Sequence, residues 1–522
     1  MRINPLFLTD GYKTGHHQQY PKGTTLVYSN FTPRTNKYAP KGCDQVVSFG
    51  QQLVMKIIHE SFQNDFFSQP KDVVCGEMKR ELSMYLNTDY DVSHFEDLWD
   101  LQYLPINVKS IEEGTLVGIK IPVLTIYNTH PDFYWITNYL ETIISNLLWK
   151  PITSASIAHT YRKVLTKWVE KTDAEKDWFI DWQGHDFSMR GLDSIDATIS
   201  SGLGHLTSFS GSDSLPAIYG ARKYYNETGF ISGSVNATEH SVMCAGTKDD
   251  EIGTFRNLME TYPTGILSIV SDTWDLWKVC TEHLVALKEE ILARDGKVVI
   301  RPDSGDPVDI ICGFIKNENG DILNSDEEIK NGATYYRTPK NTPEEKGVIE
   351  LLWDVFGGTI NEQGYKVLDP HIGAIYGDSI TIDRADEICA RLEAKGFAST
   401  NVVLGIGSFT YQYNTRDTFG FAMKATYVEV NKPKFDGDFN PEGREIFKDP
   451  ITDDGTKKSA TGLLHVTKIL NEYFLVDRVT WGEEEGGELQ TIYKDGEFLN
   501  QTTLTEIRNR VKNLWKNIIY KW

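Results

Sequence analysis

The sequence predicts an α/β fold: an irregular TIM-like α/β barrel with a second, β-rich domain that is discontinuous in the chain. Between residues 266 and 408, four short β-branched runs end in glycine or a charged residue, and the first three lead into helix patterns. Most neighbouring runs are about 30 residues apart, the length of one βα unit. Residues 1–130 and 410–522 instead contain strand-like, turn-rich segments.

The four runs also place polar residues where each predicted strand ends. They are ILSIVSD (266–272), KVVIRPDSGDP (297–307), HIGAIYGDS (371–379) and NVVLGIGS (401–408). TIM barrels carry their active sites at the carboxyl ends of the strands. An open doubly wound sheet follows the same rule, so the sequence leaves that alternative open. A polar stretch at 317–341 predicts a surface excursion, and Thr342 with Glu345 predicts a capping box for the helix that follows.

The distribution of strand-like and helix-like patterns divides the sequence into three domain segments. Residues 1–145 form the N-terminal part of the β-rich domain with connecting helices, residues 146–409 form the barrel, and residues 410–522 complete the β-rich domain. Within the first segment, residues 24–33 predict a strand and residues 114–128 a hairpin or meander strand.

Composition excludes several classes of protein. With 53 basic and 74 acidic residues, the net charge of −21 disfavours nucleic-acid binding. No apolar stretch approaches the roughly 18 residues that span a bilayer, so a membrane protein is not expected. Six widely spaced cysteines without a CxxC motif predict reduced thiols in the cytoplasm. The acidic run at 483–488 predicts a solvated turn.

Three strand-end segments carry residues suited to binding a phosphorylated sugar. Asp303 in RPDSGDP and Asp378 in YGDS could hold ribose hydroxyls or Mg²⁺. Gly407 and Ser408 in GIGSF resemble a loop whose backbone N–H groups converge on a phosphate. Each segment taken alone also fits an ordinary surface turn.

The segment NATEHS places Glu239 beside His240, and Asp272 at the end of SIVSD could orient the imidazole ring. A single histidine is more often structural than catalytic. By the same reasoning, Tyr12 and Phe187 are core aromatics by default, Arg190 is a surface cation, and Asp213 caps a helix.

Ten short segments in order over nearly the whole chain resemble the nicotinamide phosphoribosyltransferases, within the type II phosphoribosyltransferases. They are TDGYK (9–13), HHQQYP (16–21), DFSMRG (186–191), GSDS (211–214), ATEHS (237–241), SIVSD (268–272), IRPDSGDP (300–307), GDS (377–379), GIGSFTYQYNTRD (405–417) and FKDP (447–450). The resemblance implies a pentosyltransferase that condenses nicotinamide with phosphoribosyl pyrophosphate in NAD salvage. It makes nicotinamide mononucleotide and pyrophosphate.

The resemblance also implies a role for each matching residue. Phe187 and Tyr12 would sandwich the nicotinamide ring, Asp213 would accept a hydrogen bond from its carboxamide, and Arg190, Ser268 and Arg301 would line the same pocket. Ribose contacts fall on Asp303, Gly377 and Asp378, and 5′-phosphate contacts on Gly407, Ser408, Arg416 and Lys424. ATP and pyrophosphate contacts fall on Arg34, Arg416, Lys448 and Lys457.

Cofactors and assembly are likewise implied by the resemblance. Mg²⁺ would assist, and ATP as co-substrate would phosphorylate His240, with Asp272 as its carboxylate partner and Glu239 and Asp303 nearby. The enzyme would be a homodimer with shared active sites. The partner subunit would supply Tyr12, Arg34, Arg416, Lys424, Lys448 and Lys457.

The sequence departs from the family pattern at three points. Ser408 stands in a loop that is usually richer in glycine in the family. Ala422 stands where the family commonly has a serine, two residues before Lys424. Either Lys457 or Lys458 matches one family lysine. Two alternatives remain: a nicotinate phosphoribosyltransferase, and a non-catalytic signalling or scaffold protein on the same fold. A carboxylate at position 213 argues against the first, because it would face the carboxylate of nicotinate.

Overall fold

A computed structural model describes residues 3–316, 322–323, 341–377, 379–433, 439–448, 460–470 and 472–519. The chain divides into two compact units. Unit 1 contains Met1–Ile157, Tyr219–Phe230 and Asn414–Trp522, and unit 2 contains Ala158–Ile218 and Ile231–Tyr413. The short insertion Tyr219–Phe230 in unit 1 has no counterpart in the segments predicted from sequence.

The strands of the described residues are numbered in chain order. They are β1 (Thr24–Thr32), β2 (Gln45–Val47), β3 (Ile106–Ser110), β4 (Leu116–Gly118), β5 (Leu124–Asn128), β6 (Gly184–Asp186), β7 (Gly211–Ser212), β8 (Asn236–Ala237), β9 (Thr264–Val270), β10 (Asp295–Arg301), β11 (Ile315–Lys316), β12 (Ile322–Leu323), β13 (Gly358–Ile360), β14 (Lys366–Leu368), β15 (Ile372–Tyr376), β16 (Val402–Ile406), β17 (Ala422–Pro433), β18 (Phe439–Glu445), β19 (Leu463–Ile469), β20 (Glu472–Val479), β21 (Gln490–Lys494) and β22 (Glu497–Phe498).

The α-helices are numbered in the same way. They are α1 (His16–Gln19), α2 (Gln51–Phe62), α3 (Lys71–Leu86), α4 (Ser93–Leu101), α5 (Ile136–Tyr139), α6 (Glu141–Thr172), α7 (Ile180–Gln183), α8 (Ile195–His205), α9 (Leu215–Tyr224), α10 (His240–Ala245), α11 (Glu251–Thr261), α12 (Leu276–Lys278), α13 (Leu284–Ala286), α14 (Lys288–Leu292), α15 (Pro307–Cys312), α16 (Pro343–Phe356), α17 (Ile382–Ala394), α18 (Ser408–Gln412), α19 (Trp481–Glu484) and α20 (Leu504–Ile519).

Unit 2 is built around a parallel sheet with the strand order β7-β6-β16-β15-β10-β9-β8. Every neighbouring pair in this order is parallel. A further parallel bridge joins Gly211 of β7 to Gly233, just before β8. Read around this closed ring, the strands follow their order in the chain, as in a TIM barrel. The predicted barrel-like α/β fold is therefore confirmed, and the open doubly wound alternative is wrong.

All four strands predicted for the barrel are present in the structure. Their β-branched residues bury one side of the sheet. In β10, Val298 and Ile300 are fully buried on one side of the sheet, while Val299 and Arg301 alternate onto the other side. Ser268 of β9 pairs with Val299 and so lies on that second side. This alternation brings the side chains of several strands to one interior surface.

Unit 1 contains an antiparallel sheet with the order β18-β17-β1-β5-β3-β21-β22. Both ends of the chain contribute to it, as the predicted discontinuous β-rich domain requires. Of the two alternatives predicted for 114–128, the hairpin is wrong, because β4 pairs with β2 in a separate sheet. β5 lies in the seven-stranded sheet, antiparallel to β1 and β3. Between β4 and β5 the chain passes from the two-stranded sheet to the seven-stranded sheet.

Several local predictions can be compared with the structure directly. The capping box of α16 is confirmed, with Thr342 and Glu345 bonding to each other's backbone N–H groups. The acidic run is not wholly solvated, since Glu484 is buried and accepts a hydrogen bond from Lys109 Nζ at 3.0 Å. Most of the excursion predicted at 317–341 lies outside the described residues.

The cysteines and the helices bear on the predictions made from composition. All six cysteines are free thiols, and only Cys244 is exposed. Within the described residues, none of the helices combines the length and the apolar character needed to cross a bilayer.

Candidate active site

Candidate residues gather at one rim of unit 2, where the parallel strands end. Phe187 follows β6, Asp272 follows β9, Asp303 follows β10, Gly377 follows β15 and Gly407 follows β16. Neighbouring parallel strands have their carboxyl ends at the same edge of a sheet, so this common rim is a consequence of the strand order. The sequence prediction of a rim site rests on this geometry.

Phe187 has a cation and an imidazole as close neighbours. The Arg301 guanidinium carbon is 5.3 Å from the centre of the Phe187 ring, and the His185 ring centre is 4.5 Å away at a tilt of 35°. The backbone N–H of Phe187 donates to Ile406 O on β16 at 3.0 Å. Phe187 is only half-buried, so part of its ring is available to a ligand.

Asp213 is held by two side chains through the same carboxylate oxygen. His185 Nε2 is 2.9 Å from Asp213 Oδ1, and Ser234 donates its hydroxyl to Oδ1 as well. Burial opposes ionisation of the carboxyl, but the hydrogen bonds from His185 and Ser234 and the charges of His185 and Arg301 lower the pKa of Asp213 overall. Asp213 therefore presents a carboxylate near Phe187 and Arg301.

Asp272 and Asp303 form an acidic pair at the ends of β9 and β10. Asp272 Oδ2 accepts hydrogen bonds from the backbone N–H of Asp303 at 2.9 Å and from Ser304 Oγ at 2.5 Å. Arg301 lies 3.7 Å from Asp303 Oδ1. The pKa of the Tyr376 hydroxyl is raised by burial and then by the nearby charges of Asp272 and Asp303. The two carboxylates thus share one small region of the rim.

His240 faces this acidic pair, but not in the manner predicted. Its Nδ1 contacts Thr273 Oγ1 at 3.0 Å, while its Nε2 is 3.9 Å from both Asp272 Oδ1 and Asp303 Oδ2. The expected hydrogen bond between the ring and Asp272 is not formed, because Nε2 stays 3.9 Å from Asp272 Oδ1. The other oxygen, Oδ2, binds the Asp303 N–H and the Ser304 hydroxyl. Thr273 holds the ring instead, and Nε2 points towards two negative charges.

Two glycines allow close packing around the site. A Cβ atom on Gly377 would collide with Asp303 Oδ1 and lie 2.8 Å from Arg301 Nε. A Cβ atom on Gly191 would collide with the side chain of Ser408. Ser408 begins the short helix α18 after Gly407, so the predicted phosphate loop lies directly against the DFSMRG segment.

In unit 1, three predicted phosphate-binding cations lie close enough to a fourth, Lys424, to affect its charge. Burial is the largest effect on Lys424 and lowers its pKa; Arg34, Lys448 and Arg416 lower it further, whereas Glu141 raises it. Arg34 also donates from Nε to Gly420 O at 2.9 Å, and Lys424 pairs with Asn30 across β1 and β17. Ala422, the position of the missing family serine, is buried on β17.

Tyr12 also belongs to unit 1 and is 66% exposed. It lies in the 3₁₀ helix Gly11–Gly15, with its ring centre 5.6 Å from that of His16 and 5.3 Å from Lys13 Nζ. An aromatic ring that remains so exposed is available for a stacking contact.

The structure does not bring every predicted residue into this arrangement. Arg190 is exposed, and Glu239 is the exposed N-cap of α10, where it accepts a hydrogen bond from Ser241. Ser268 is buried, with a hydroxyl that has no hydrogen-bond partner among the described residues. Asp378, Lys457 and Lys458 lie outside the described residues.

Sequence reasoning missed four residues that shape the site: His185, Ser234, Thr273 and Ser304. His185 gives the clearest signal, since it stands two positions before Phe187 and residues at that spacing share one side of a strand. Thr273 directly follows Asp272. The pairing of Ser234 with Asp213 has no local signal, because it joins separate loops.

The acidic pair has the donor set for a magnesium ion. Asp272 Oδ1 and Asp303 Oδ1 are buried and accept no hydrogen bond from the described residues. No group of three or more His, Cys, Asp or Glu side chains suited to a metal occurs among the described residues. Mg²⁺ commonly takes only one or two protein carboxylates and completes its shell with water and substrate phosphates, so the pair fits.

Two family models match the chain. The model of the nicotinate phosphoribosyltransferase family matches residues 182–497, and that of the nicotinamide phosphoribosyltransferase N-terminal domain matches residues 4–97. The chain is 48% identical over 522 residues to a protein of Acinetobacter baylyi named nicotinamide phosphoribosyltransferase, covering 98% of this chain and 97% of that protein. A protein of the same name from Mycoplasma pneumoniae is 31% identical over 488 residues, covering 90% and 97%.

Two solved structures share the fold. Nicotinate-nucleotide pyrophosphorylase from Pyrococcus furiosus has a TM-score of 0.52 at 14% identity, with 99% of this chain and 96% of that chain covered. Human nicotinic acid phosphoribosyltransferase has a TM-score of 0.52 at 15% identity, with 97% and 93% covered.

Proposed function

This chain belongs to the nicotinate phosphoribosyltransferase family, and we propose that it joins nicotinamide to phosphoribosyl pyrophosphate, forming nicotinamide mononucleotide and releasing pyrophosphate. It is thus a pentosyltransferase of pyridine nucleotide salvage. Relatives that carry the name nicotinamide phosphoribosyltransferase cover nearly the whole chain. The choice of base within the family rests on one residue of the site.

That residue is Asp213, and its ionised carboxylate carries the proposal. Both hydrogen bonds that the structure gives the side chain go to Oδ1, which leaves Oδ2 for a donor such as the NH₂ of a carboxamide. The carboxylate of nicotinate would meet a like charge there, which costs binding energy. Phe187 supplies an aromatic face on which the pyridine ring stacks.

The reaction forms a bond between the pyridine nitrogen and the anomeric carbon as the bond from that carbon to pyrophosphate breaks. The ring becomes cationic, and Phe187 and Tyr12 stabilise a cation through their faces. Asp303 accepts hydrogen bonds from ribose hydroxyls, and the Ser408 loop binds the 5′-phosphate. These contacts align base and sugar, which lowers the entropic part of the barrier.

Asp272 and Asp303 would hold Mg²⁺ together with the substrate phosphates. When bound, the ion neutralises charge on the departing pyrophosphate. Ser304 and the Asp303 backbone N–H donate to Asp272 Oδ2 and fix the carboxylate, so Oδ1 remains for the ion.

ATP use would depend on His240. With Nδ1 occupied by Thr273, Nε2 is the nitrogen that attacks the γ-phosphorus of ATP. The N–P bond forms, the bond to the bridging oxygen breaks, and ADP leaves. Asp272 and Asp303 stabilise the positive charge that the ring acquires in this step.

Shared sites in a homodimer are also part of the proposal. The base and ribose residues belong to unit 2, whereas Tyr12, Arg34, Arg416, Lys424 and Lys448 belong to unit 1. The family resemblance assigns this second group to the partner subunit.

The decisive test is a product assay for nicotinamide mononucleotide, with nicotinamide and nicotinate supplied side by side, each with and without ATP. Formation of the mononucleotide with preference for nicotinamide is expected. Preference for nicotinate would favour the alternative enzyme of the family. Absence of pyrophosphate release with both bases would favour a non-catalytic role.

A further inference from the structure

His185 is the middle residue of β6, and its imidazole extends across the sheet to Asp213. The residue pairs with Gly211 of the neighbouring strand β7, where a Cβ atom would lie only 2.7 Å from His185 Nδ1. A glycine at this position therefore leaves the space that the ring occupies. Asp213 stands two residues beyond Gly211, and His185 Nε2 lies 2.9 Å from its Oδ1.

This contact determines which nitrogen of the ring carries a proton. The oxygens of the ionised Asp213 carboxylate can only accept hydrogen bonds, so His185 Nε2 is the donor to Oδ1. Hydrogen bonds to an ionised group are roughly twice as strong as neutral ones. The bond therefore restrains the rotation of the carboxylate and leaves Oδ2 for the NH₂ of a carboxamide.

A fixed donor matters here because the Asp213 side chain is 41% exposed. Water would compete for a carboxylate in that position and allow it to change rotamer. The His185 side chain is only 10% exposed, and its strand has β7 and β16 as neighbours on its two sides. Ser234, the other donor to Oδ1, is an exposed residue on a loop. Groups on strands are held in place better than groups on loops, so His185 is the stronger restraint on Asp213.

The same imidazole contacts the ring on which the base would stack. His185 and Phe187 are two positions apart in the sequence, and their ring centres are 4.5 Å apart at a tilt of 35°. His185 therefore contacts both groups that would recognise the base. Its position sets the distance between the carboxylate and the stacking ring.

We propose that His185 is a positioning residue for base selection, whose Nε2–H holds the Asp213 carboxylate beside Phe187 with Oδ2 left for the carboxamide. The inference deepens the proposed function, since it rests on the roles given there to Asp213 and Phe187. A carboxylate held in this way offers nicotinamide a ready acceptor, and it keeps a negative charge where nicotinate would place its own. Loss of the Nε2–H would weaken both effects while Asp213 itself remains.

Two variants of His185 separate the hydrogen bond from the packing of the ring. His185→Phe keeps an aromatic ring beside Phe187 but has no donor for Asp213. His185→Gln loses the ring, but its amide nitrogen can replace Nε2 as a donor. His371→Phe is the matched control, because His371 Nδ1 lies 2.7 Å from Asp369 Oδ1 in a second imidazole–carboxylate pair of unit 2, which precedes β15.

The experiment measures kcat and KM for each substrate, and the binding of each base by calorimetry, on the full chain. His185→Phe should lower the nicotinamide-to-nicotinate ratio of kcat/KM values by about 10-fold, the scale of one hydrogen bond to a charged group. The KM for phosphoribosyl pyrophosphate should stay near the wild-type value, since the imidazole contacts only the base-recognising groups. His185→Gln should keep most of the ratio, and the control should match the wild type.

A double-mutant cycle tests whether His185 acts through Asp213. Substitutions that act through one interaction do not add, so His185→Phe should change the ratio much less in an Asp213→Asn background than in the wild type. Full additivity would overturn the inference, as would an unchanged ratio in His185→Phe. An equal loss in His185→Gln would also overturn it, because ring packing would then be responsible and not the donor.

Thermal unfolding of each variant identifies any that fails to fold. His185→Met, which also lacks a donor, replaces His185→Phe in that case. If the wild type makes no mononucleotide, the proposed function fails, but the ratio of the calorimetric affinities for the two bases still decides on His185. Binding of neither base by the wild type would overturn both proposals.

Discussion

His185 Nε2 lies 2.9 Å from Asp213 Oδ1, and the Ser234 hydroxyl binds the same oxygen. The imidazole also stands over Phe187, with ring centres 4.5 Å apart. One histidine therefore contacts both the carboxylate that would read the carboxamide and the ring on which the base would stack. Under the proposed function, base recognition is a property of this three-residue arrangement.

Asp213→Asn should relax the preference for nicotinamide over nicotinate. Asparagine keeps an acceptor for His185 but removes the charge that repels a carboxylate, so nicotinate should gain about 1–3 kcal/mol relative to nicotinamide. The measurement is the ratio of kcat/KM values for the two bases. Ser234→Ala keeps the charge and should leave that ratio near the wild-type value. An unchanged ratio in Asp213→Asn would count against the assignment.

His240→Ala should abolish ATP hydrolysis and ATP stimulation while leaving a weaker basal synthesis, because the base and ribose contacts remain. Labelling with γ-labelled ATP, followed by tests of acid lability and alkali stability, detects a phosphohistidine. Thr273→Val should reduce the label, since it removes the contact on Nδ1. Acid-labile label on the His240→Ala protein would show that another residue is phosphorylated.

Asp272→Ala should be more harmful to basal synthesis than His240→Ala. Its carboxylate accepts hydrogen bonds from the Asp303 N–H and the Ser304 hydroxyl, so its loss disturbs the turn that we propose binds ribose, as well as the imidazole. The ratio of basal kcat/KM values for the two variants measures this effect. Equal basal rates would mean that the turn keeps its shape without Asp272.

Tyr12→Ala and Asp303→Ala should complement each other in a mixed dimer if the sites are shared. Each homodimer would be impaired at both sites, whereas one site of the heterodimer would carry neither substitution. Activity should therefore recover after subunit exchange. No recovery, with heterodimers demonstrated by differential tagging, would argue for sites built within one chain.

Glu251→Gln should stabilise unit 2 above neutral pH. Burial raises the pKa of Glu251 to about 7, with a smaller contribution from Asp275 and an opposing one from Lys278. Because the folded pKa lies above the unfolded value of about 4.3, this group contributes stability below pH 4.3 that is lost as the pH rises through about 7. At pH 8 the variant should be more stable by roughly 1–3 kcal/mol, and near pH 5 the difference should largely vanish. Denaturant unfolding at both pH values measures it, and a difference independent of pH would contradict the prediction.

Much of the fold could be predicted from the sequence because its signals are local. The runs at 266–272, 297–307, 371–379 and 401–408 contain enough β-branched residues to specify strands, and Thr342 with Glu345 specifies a helix start. The residues that follow these strands were predicted to share one rim, since parallel strands impose it. Family membership follows from the same segments in order and agrees with the matched family models.

Tertiary structure decided what depends on contacts between residues far apart in the chain. The bridge from Gly211 to Gly233 closes the ring, the segment at 114–128 divides between two sheets, and Glu484 is buried against Lys109 although it lies in an acidic run. The contact of the His240 ring with Thr273 was also beyond prediction, because the two residues lie 33 positions apart, in separate segments. Only packing fixes the distances between these segments, so that Asp272 Oδ2 binds the Asp303 N–H, Asp272 Oδ1 stays 3.9 Å from His240 Nε2, and Thr273 contacts Nδ1.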